Sequence, residues 1–356
     1  MNSRRQFNQS LLSLSALAAL NPFDAFAQNA AVDAVKIFYG FPAGSAGDGV
    51  ARRVGERLGP TAYSKNAGVV ENKTGAGGRI ALEALKAAPA DGTALALSPF
   101  SQLAIFPHIY AKLGYDPLKD FVPVSIGAIM HHGFAVGPLV PASVKTVKDF
   151  LVWAKANPKD ANYGSPAAGS TPHFIGALLG LNAGVDLKHV AYRGSVPGVT
   201  DVVGGQLASM CTPSGDFLQY HRAGRLRLLA TSGKQRSPFS PDVATFAEQG
   251  FPELTTEEWF GFYAHAKTPA AIVAAANAAI NAALKDKAVI ESLAVTGLIA
   301  QGSTPDEQAR SQKAEFDRWG LWSNGSASQR NRKPYGTTFR WRKVHTEGAT
   351  EVQRGG

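Results

Sequence analysis

Three stretches of this 356-residue chain put small hydrogen-bond donors at the start of a helix-like pattern. The first runs from Phe41 to Asp48. In it Ser45 and Asp48 stand in the S-x-x-D spacing that opens helices, and Val50, Val54 and Leu58 then recur every four residues. The second is Gly169-Ser170-Thr171-Pro172-His173, where Thr171 is the expected N-cap and Pro172 suits the first helical position. The third is Arg193-Gly194-Ser195, ahead of a helix opened by Pro197. The first N–H groups of a helix have no intrahelical partner and sit at the positive end of its dipole. Each stretch is therefore a ready anion site. None carries a strong nucleophile or general base, so the chemistry they suggest is anion binding without reaction.

Catalytic and cofactor patterns were sought and are missing. The opening loop lacks the Lys-Ser/Thr of a P-loop, and its glycines do not fit G-x-G-x-x-G. Gly75 and Gly77 begin such a fingerprint, but Ile80 takes the place of its third glycine. Lys73-Thr74-Gly75 lacks the S-x-x-K that would make it a β-lactamase triplet, and no G-x-S-x-G elbow exists. The eight histidines form no H-E-x-x-H, and His131 and His132 would point to opposite sides of a strand. The lone Cys211 reads as a small buried hydrophobe. Neither a metal nor a cofactor is expected.

The elements that must position the three loops alternate between strand and helix. Strand-like VKIFYGF, GVVENK and TALALS are separated by two helix-like segments, an order that implies a parallel sheet covered by helices. The second and third loops repeat the same strand–loop–helix design. The length allows two domains of ordinary size. Hydrophobic residues at 45% and charged residues at 18% are ordinary for a globular protein. Of the net charge of +9, the stretch 321–356 carries +5 and the body 28–320 only +3, so no nucleic-acid partner is expected.

The two ends read differently from the body. Arg4-Arg5 before an apolar stretch, with Ala25-Phe26-Ala27 after it, reads as an export signal over 1–27, of secretory or twin-arginine type. Cleavage after Ala27 would release a periplasmic chain. After Gly320 periodicity stops, and 321–356 reads as a basic, disordered tail.

Taken in order, these segments resemble the Bug-type extracytoplasmic solute-binding proteins of tripartite tricarboxylate transporters. Phe41 to Asp48 stands where the family has FPPGGSTD, and VVENKTGAGG (69–78) is similar to its VVENRPGAGG. YRGSVPGVTDVVGGQL is similar to YKGSAPALTDLLGGQ, and AGRLRLLATSG to AGKLRALAVT. The resemblance covers roughly 35–320. It implies an α/β, two-lobed periplasmic-binding-protein type II fold, with 28–126 and 232–320 in lobe 1 and 127–231 in lobe 2. It also implies a monomer that holds a small carboxylated ligand between its lobes and delivers it to integral membrane permease subunits.

Carried onto this sequence, the resemblance makes Phe41 a side wall and Gly44 and Ser45 backbone donors. Asp48 either completes a capping box or contacts the ligand. Ser98 ends a strand aimed at the cleft. Ser165, Gly169, Ser170, Thr171 and His173 would face the ligand from lobe 2, and Arg193, Gly194 and Ser195 would complete the cradle, with Arg193 as the cation. Two departures stand out. Thr212 replaces an Asp of the family's FDNLPSALPHI, and the tail after Gly320 is unlike the family, as a frameshifted or otherwise altered C-terminus would be. The competing readings are an exported hydrolytic enzyme, which would need a Ser, Cys or His beside a partner, and a ligand-sensing partner of a membrane receptor.

Overall fold

The computed structural model describes residues 31–328; the expected export signal and the stretch 329–356 lie outside the described residues. Two sheets organise the chain. The first has six strands in the order β11-β4-β10-β3-β1-β2: β1 Lys36–Tyr39, β2 Val69–Asn72, β3 Ala94–Pro99, β4 Phe121–Met130, β10 Glu258–His265 and β11 Ile299–Ala300. The second has five, in the order β7-β6-β8-β5-β9: β5 His132–Val136, β6 Asn162–Ser165, β7 Lys188–Ala191, β8 Ser209–Pro213 and β9 Arg227–Thr231. In the first sheet β1 is parallel to both neighbours, while β10 runs antiparallel between β3 and β4. In the second, β6 is parallel to β7 and β8, and β5 is antiparallel to β8 and β9.

The helices follow from alternation along the strands. Ile37, Tyr39, Leu95 and Leu97 point to one face of the first sheet, where Val50 and Val54 of α1 (Ala46–Gly55) bury against them. Phe38, Ala94 and Ala96 point the other way, onto Leu82 and Leu85 of α2 (Arg79–Ala87). Covered on both sides, β3 is buried along its whole length. The short helices α3 (Ser101–Ala104) and α4 (Phe106–Ile109) follow it. The second sheet is covered in the same way. On one face α5 (Val147–Ala156) and α6 (Thr171–Ala183) pack Phe150, Ile175 and Leu179 on Phe134, Tyr163 and Cys211. On the other, α7 (Ser195–Val203) and α8 (Gly215–Arg222) pack Val199, Val202 and Phe217 on Ala135 and Met210. Helices α9 (Ala270–Ala283), α10 (Lys287–Val295) and α11 (Pro305–Ser328) complete the first lobe.

The crossings differ from the sequence expectation. Ile126 lies inside β4, which stays paired with β10 to its last residue, Met130. The chain therefore leaves the first sheet at His131. The return near Thr231 is also displaced. Residues 232–257 pack on the second lobe, with Val243, Phe246 and Leu254 buried in its cores and Thr231 bridged to Thr245. They look like a transition in sequence because few of them are in regular structure. The second lobe is thus 131–257.

Three helix starts and one terminus differ from the sequence expectation as well: α7 begins at Ser195, so Pro197 is its third residue and does not open it. Ser170, extended at φ −76° and ψ 163°, holds the N-cap position of α6 with its hydroxyl donating to Ala167 O (2.7 Å), so Thr171 is already the first residue of the helix and Pro172 its second. Ser45 precedes α1, but its hydroxyl donates to Pro42 O (2.8 Å) and does not cap the helix. Residues 321–328, expected in the disordered tail, continue α11 to Ser328, and the rest of that stretch lies outside the described residues.

Candidate functional site

The lobes meet over a cleft of about 470 Å³, including its open mouth. Tyr39, Phe41, Phe106, Met130 and Phe260 give it an apolar wall, while the starts of α1, α6 and α7 contribute Ser45, Ser170 and Ser195. Four of the expected residues therefore line the cleft: Phe41, Ser45, Ser170 and Ser195.

The other nine are not in the lining. The Gly44 N–H donates to Asp48 Oδ2 (3.0 Å), and Asp48 also accepts from Arg52 Nε (2.9 Å) and Asn72 Nδ2 (2.8 Å). Burial alone would raise the Asp48 carboxyl, but hydrogen bonds from Arg52, Asn72 and Gly44 outweigh it and hold the group below the usual range. Asp48 braces the loop behind the cleft. Ser98 donates to Gln102 and Pro99 O inside the first lobe. The Gly169 N–H donates to His173 Nδ1 (2.9 Å), which turns that ring away from the cleft. The Thr171 hydroxyl is buried without a partner. Arg193 is exposed, because Gly194 turns the chain at φ 103° and sends Ser195 inward instead. Gly194 itself packs on Pro42 of the opposite lobe.

Ser165 and His189 need separate treatment, since Ser165 Oγ lies 2.7 Å from His189 Nε2, the pairing a hydrolase would require. Ser165 is fully buried and donates to Ala167 O (3.0 Å). The His189 ring stacks on His173 with centroids 3.9 Å apart. Burial pulls His173 down to about 4, and burial followed by the neighbouring His173 pulls His189 down to about 3. A histidine so reluctant to take a proton is a poor base at neutral pH. The stack does make a stability prediction. An unfolded histidine titrates near ~6.5. Below that pH the unfolded chain binds protons that the fold refuses, so stability is full above pH ~6.5 and falls as the pH drops toward ~4. Urea unfolding at stepped pH should show this loss, on the order of a few kcal/mol. His189→Phe should flatten the slope, and an unchanged slope would contradict the assignment.

Sequence reasoning missed polar residues of the lining, among them Ser101, Gln102, His132, Asp216 and Glu258. Asp216, in the first turn of α8, accepts the Ala46 N–H of the opposite lobe at Oδ1 (2.9 Å) and the Thr212 hydroxyl at Oδ2 (3.0 Å). Burial pushes its carboxyl up, and hydrogen bonds from Ser195, Thr212 and Ala46 pull the other way. The Thr212 departure was the one visible signal: this corner has its acid one helical turn further on.

His132 and Glu258 stand where the chain crosses between lobes. Glu258 pairs in register with Met130, so His132, two residues on, projects to the same side. Glu258 Oε1 accepts the Ser101 N–H (3.0 Å), and Oε2 lies 2.8 Å from His132 Nε2. Both side chains are 1% exposed, and His132 Nδ1 has no partner. His131 points away, to Glu257 (3.2 Å). Among the described residues no group of three or more His, Cys, Asp or Glu is placed to hold a metal ion.

Two α/β lobes joined by paired crossings, with three helix starts converging on the cleft between them, define a solute-binding protein of the periplasmic type. Comparison with known proteins gives the family. Residues 50–322 match the model described as "Tripartite tricarboxylate transporter family receptor", and the chain belongs to that family. Protein BugT of Bordetella pertussis is 32% identical over 286 residues, covering 80% of this chain and 86% of BugT. A protein of R. palustris solved with adipate superposes with a TM-score of 0.76 at 29% identity, over 82% of this chain and 97% of that one. MatC from Rhodopseudomonas palustris, solved with bound malate, gives a TM-score of 0.73 at 27% identity, over 82% and 99%. No helix among the described residues is long and apolar enough to cross a membrane.

Proposed function

We propose that this chain captures a small carboxylated solute between its lobes in the periplasm and hands it, chemically unchanged, to integral membrane permease subunits. The observation that carries this reading is the convergence of helix starts from both lobes on one cleft. The head of α6 brings Ser170 and Pro172 to that cleft, and His132, whose Nδ1 has no partner, lines it from the crossing between lobes. A carboxylate there faces the positive end of a thirteen-residue helix, and ordered water can bridge it to backbone amides at little cost. The carboxylates held by the malate- and adipate-bound relatives support the ligand class.

The test is uptake. Cells lacking the chain should lose accumulation of the cognate labelled acid, and recover it with the wild type but not with Ser170→Trp, which fills the cleft. Undiminished uptake in the deletion would remove the transport role.

A further inference from the structure

Three donors from both lobes converge at one corner of the cleft: the Ala46 N–H at the start of α1, the Thr212 hydroxyl and the Ser195 hydroxyl at the start of α7. Such a set would receive a ligand carboxylate. In this protein it receives a side chain, because the half-buried Asp216 places its carboxyl oxygens on these donors and forms part of the cleft wall. Glu258 supplies a second acid, this one buried, to the lining, and neither lysine nor arginine faces it. A solute with two carboxylates would bring its second one toward a corner already filled by an acid, with the donors there engaged.

We propose that Asp216 stands in for one ligand carboxylate, so that the solute of this protein carries a single carboxylate and an uncharged body packed on Tyr39, Phe41, Phe106 and Phe260. The inference rests on the reading of the cleft as a carboxylate site. It makes Asp216 a specificity-determining residue, acting through the three donors that it occupies.

Two measurements on the purified full chain test it. In the first, Asp216→Ala leaves an acid-sized gap lined by the donors. Acetate at tens of millimolar should raise the melting temperature of D216A by several degrees more than that of the wild type, with chloride as the ionic-strength control. An equal response of both proteins overturns the inference. In the second, calorimetry compares straight-chain and aromatic monocarboxylates with their dicarboxylate counterparts, hexanoate against adipate among them. The wild type should favour the monocarboxylate at least tenfold, and D216A should lose or reverse that preference. A wild type that favours the dicarboxylate overturns the inference while leaving the carboxylate reading intact. A wild type that binds no acid of the panel overturns both. Should D216A fail to fold, Asp216→Asn keeps the volume and removes the charge, and its discrimination against adipate must shrink.

Discussion

Replacing Glu258 by alanine is expected to cost about 3–5 kcal/mol of stability, because it strands two buried hydrogen-bonding groups at roughly 1–3 kcal/mol each. The reason lies in what Glu258 satisfies. One oxygen takes the Ser101 N–H and the other faces His132 Nε2, and all three residues are at most 2% exposed. Alanine would strand both groups at the two points where the chain passes between lobes. For a chain of this size the melting temperature should drop by roughly 10 °C. Glu258→Gln keeps an acceptor for Ser101 and a group able to meet the other tautomer of His132, so its loss should be about 1 kcal/mol. Denaturant unfolding of the three proteins checks this. An alanine variant within about 1 kcal/mol of the wild type would show that the pair does not hold the crossings together.

Gly194→Ala should weaken solute binding about 100-fold, with a smaller effect on the free protein. A Cβ at this position would overlap Pro42 Cδ, across the boundary between lobes. The clash is thus absent from either lobe alone and is felt only when they meet. If only a hundredth of the molecules reach the meeting geometry, apparent affinity falls by the same factor. Backbone strain at φ 103° adds about 1–3 kcal/mol within the second lobe, which lowers the melting temperature of the free variant as well. Pro42→Ala removes the atoms that a Cβ would strike, so the double variant separates the two effects. It should recover binding at least tenfold over Gly194→Ala, a coupling of about 1.4 kcal/mol, and leave the strain untouched. Equal binding by the single and double variants would place the loss in the strained turn and not in the contact between lobes.

The parts of the site legible in sequence were those written in local composition. A strand, a loop of small residues and a helix are contiguous in the chain, so the loops ahead of α1, α6 and α7 could be read directly, with Phe41, Ser45, Ser170 and Ser195 among them, although the starts of α6 and α7 lie earlier than Thr171 and Pro197 suggested. What faces the cleft within each loop depends on phase. Ser170 and Pro172 line it, whereas His173, one step further round α6, turns back to Gly169 and stacks on His189. Arg193 looked like the cation of the site, but the turn at Gly194 leaves it outside. The acids that do line the cleft depend on pairings between distant segments. Asp216 meets Ala46 across 170 residues and Glu258 meets His132 across 126, distances over which no local pattern speaks. The parallel order of β1, β2 and β3 was readable from alternating strands and helices. The second lobe's extension to residue 257 was not, since its buried Val243, Phe246 and Leu254 are spaced irregularly through loops.

That the cleft captures a carboxylate without altering it is tested most directly by calorimetric titration of the wild type, followed by mass-spectrometric recovery of the acid. The predicted result is saturable binding at one site per chain, with about 2.7 kcal/mol of stabilisation at ~100-fold the dissociation constant and the acid recovered intact. No binding across mono-, di- and tricarboxylates and aromatic acids, or recovery of a converted product, would contradict it.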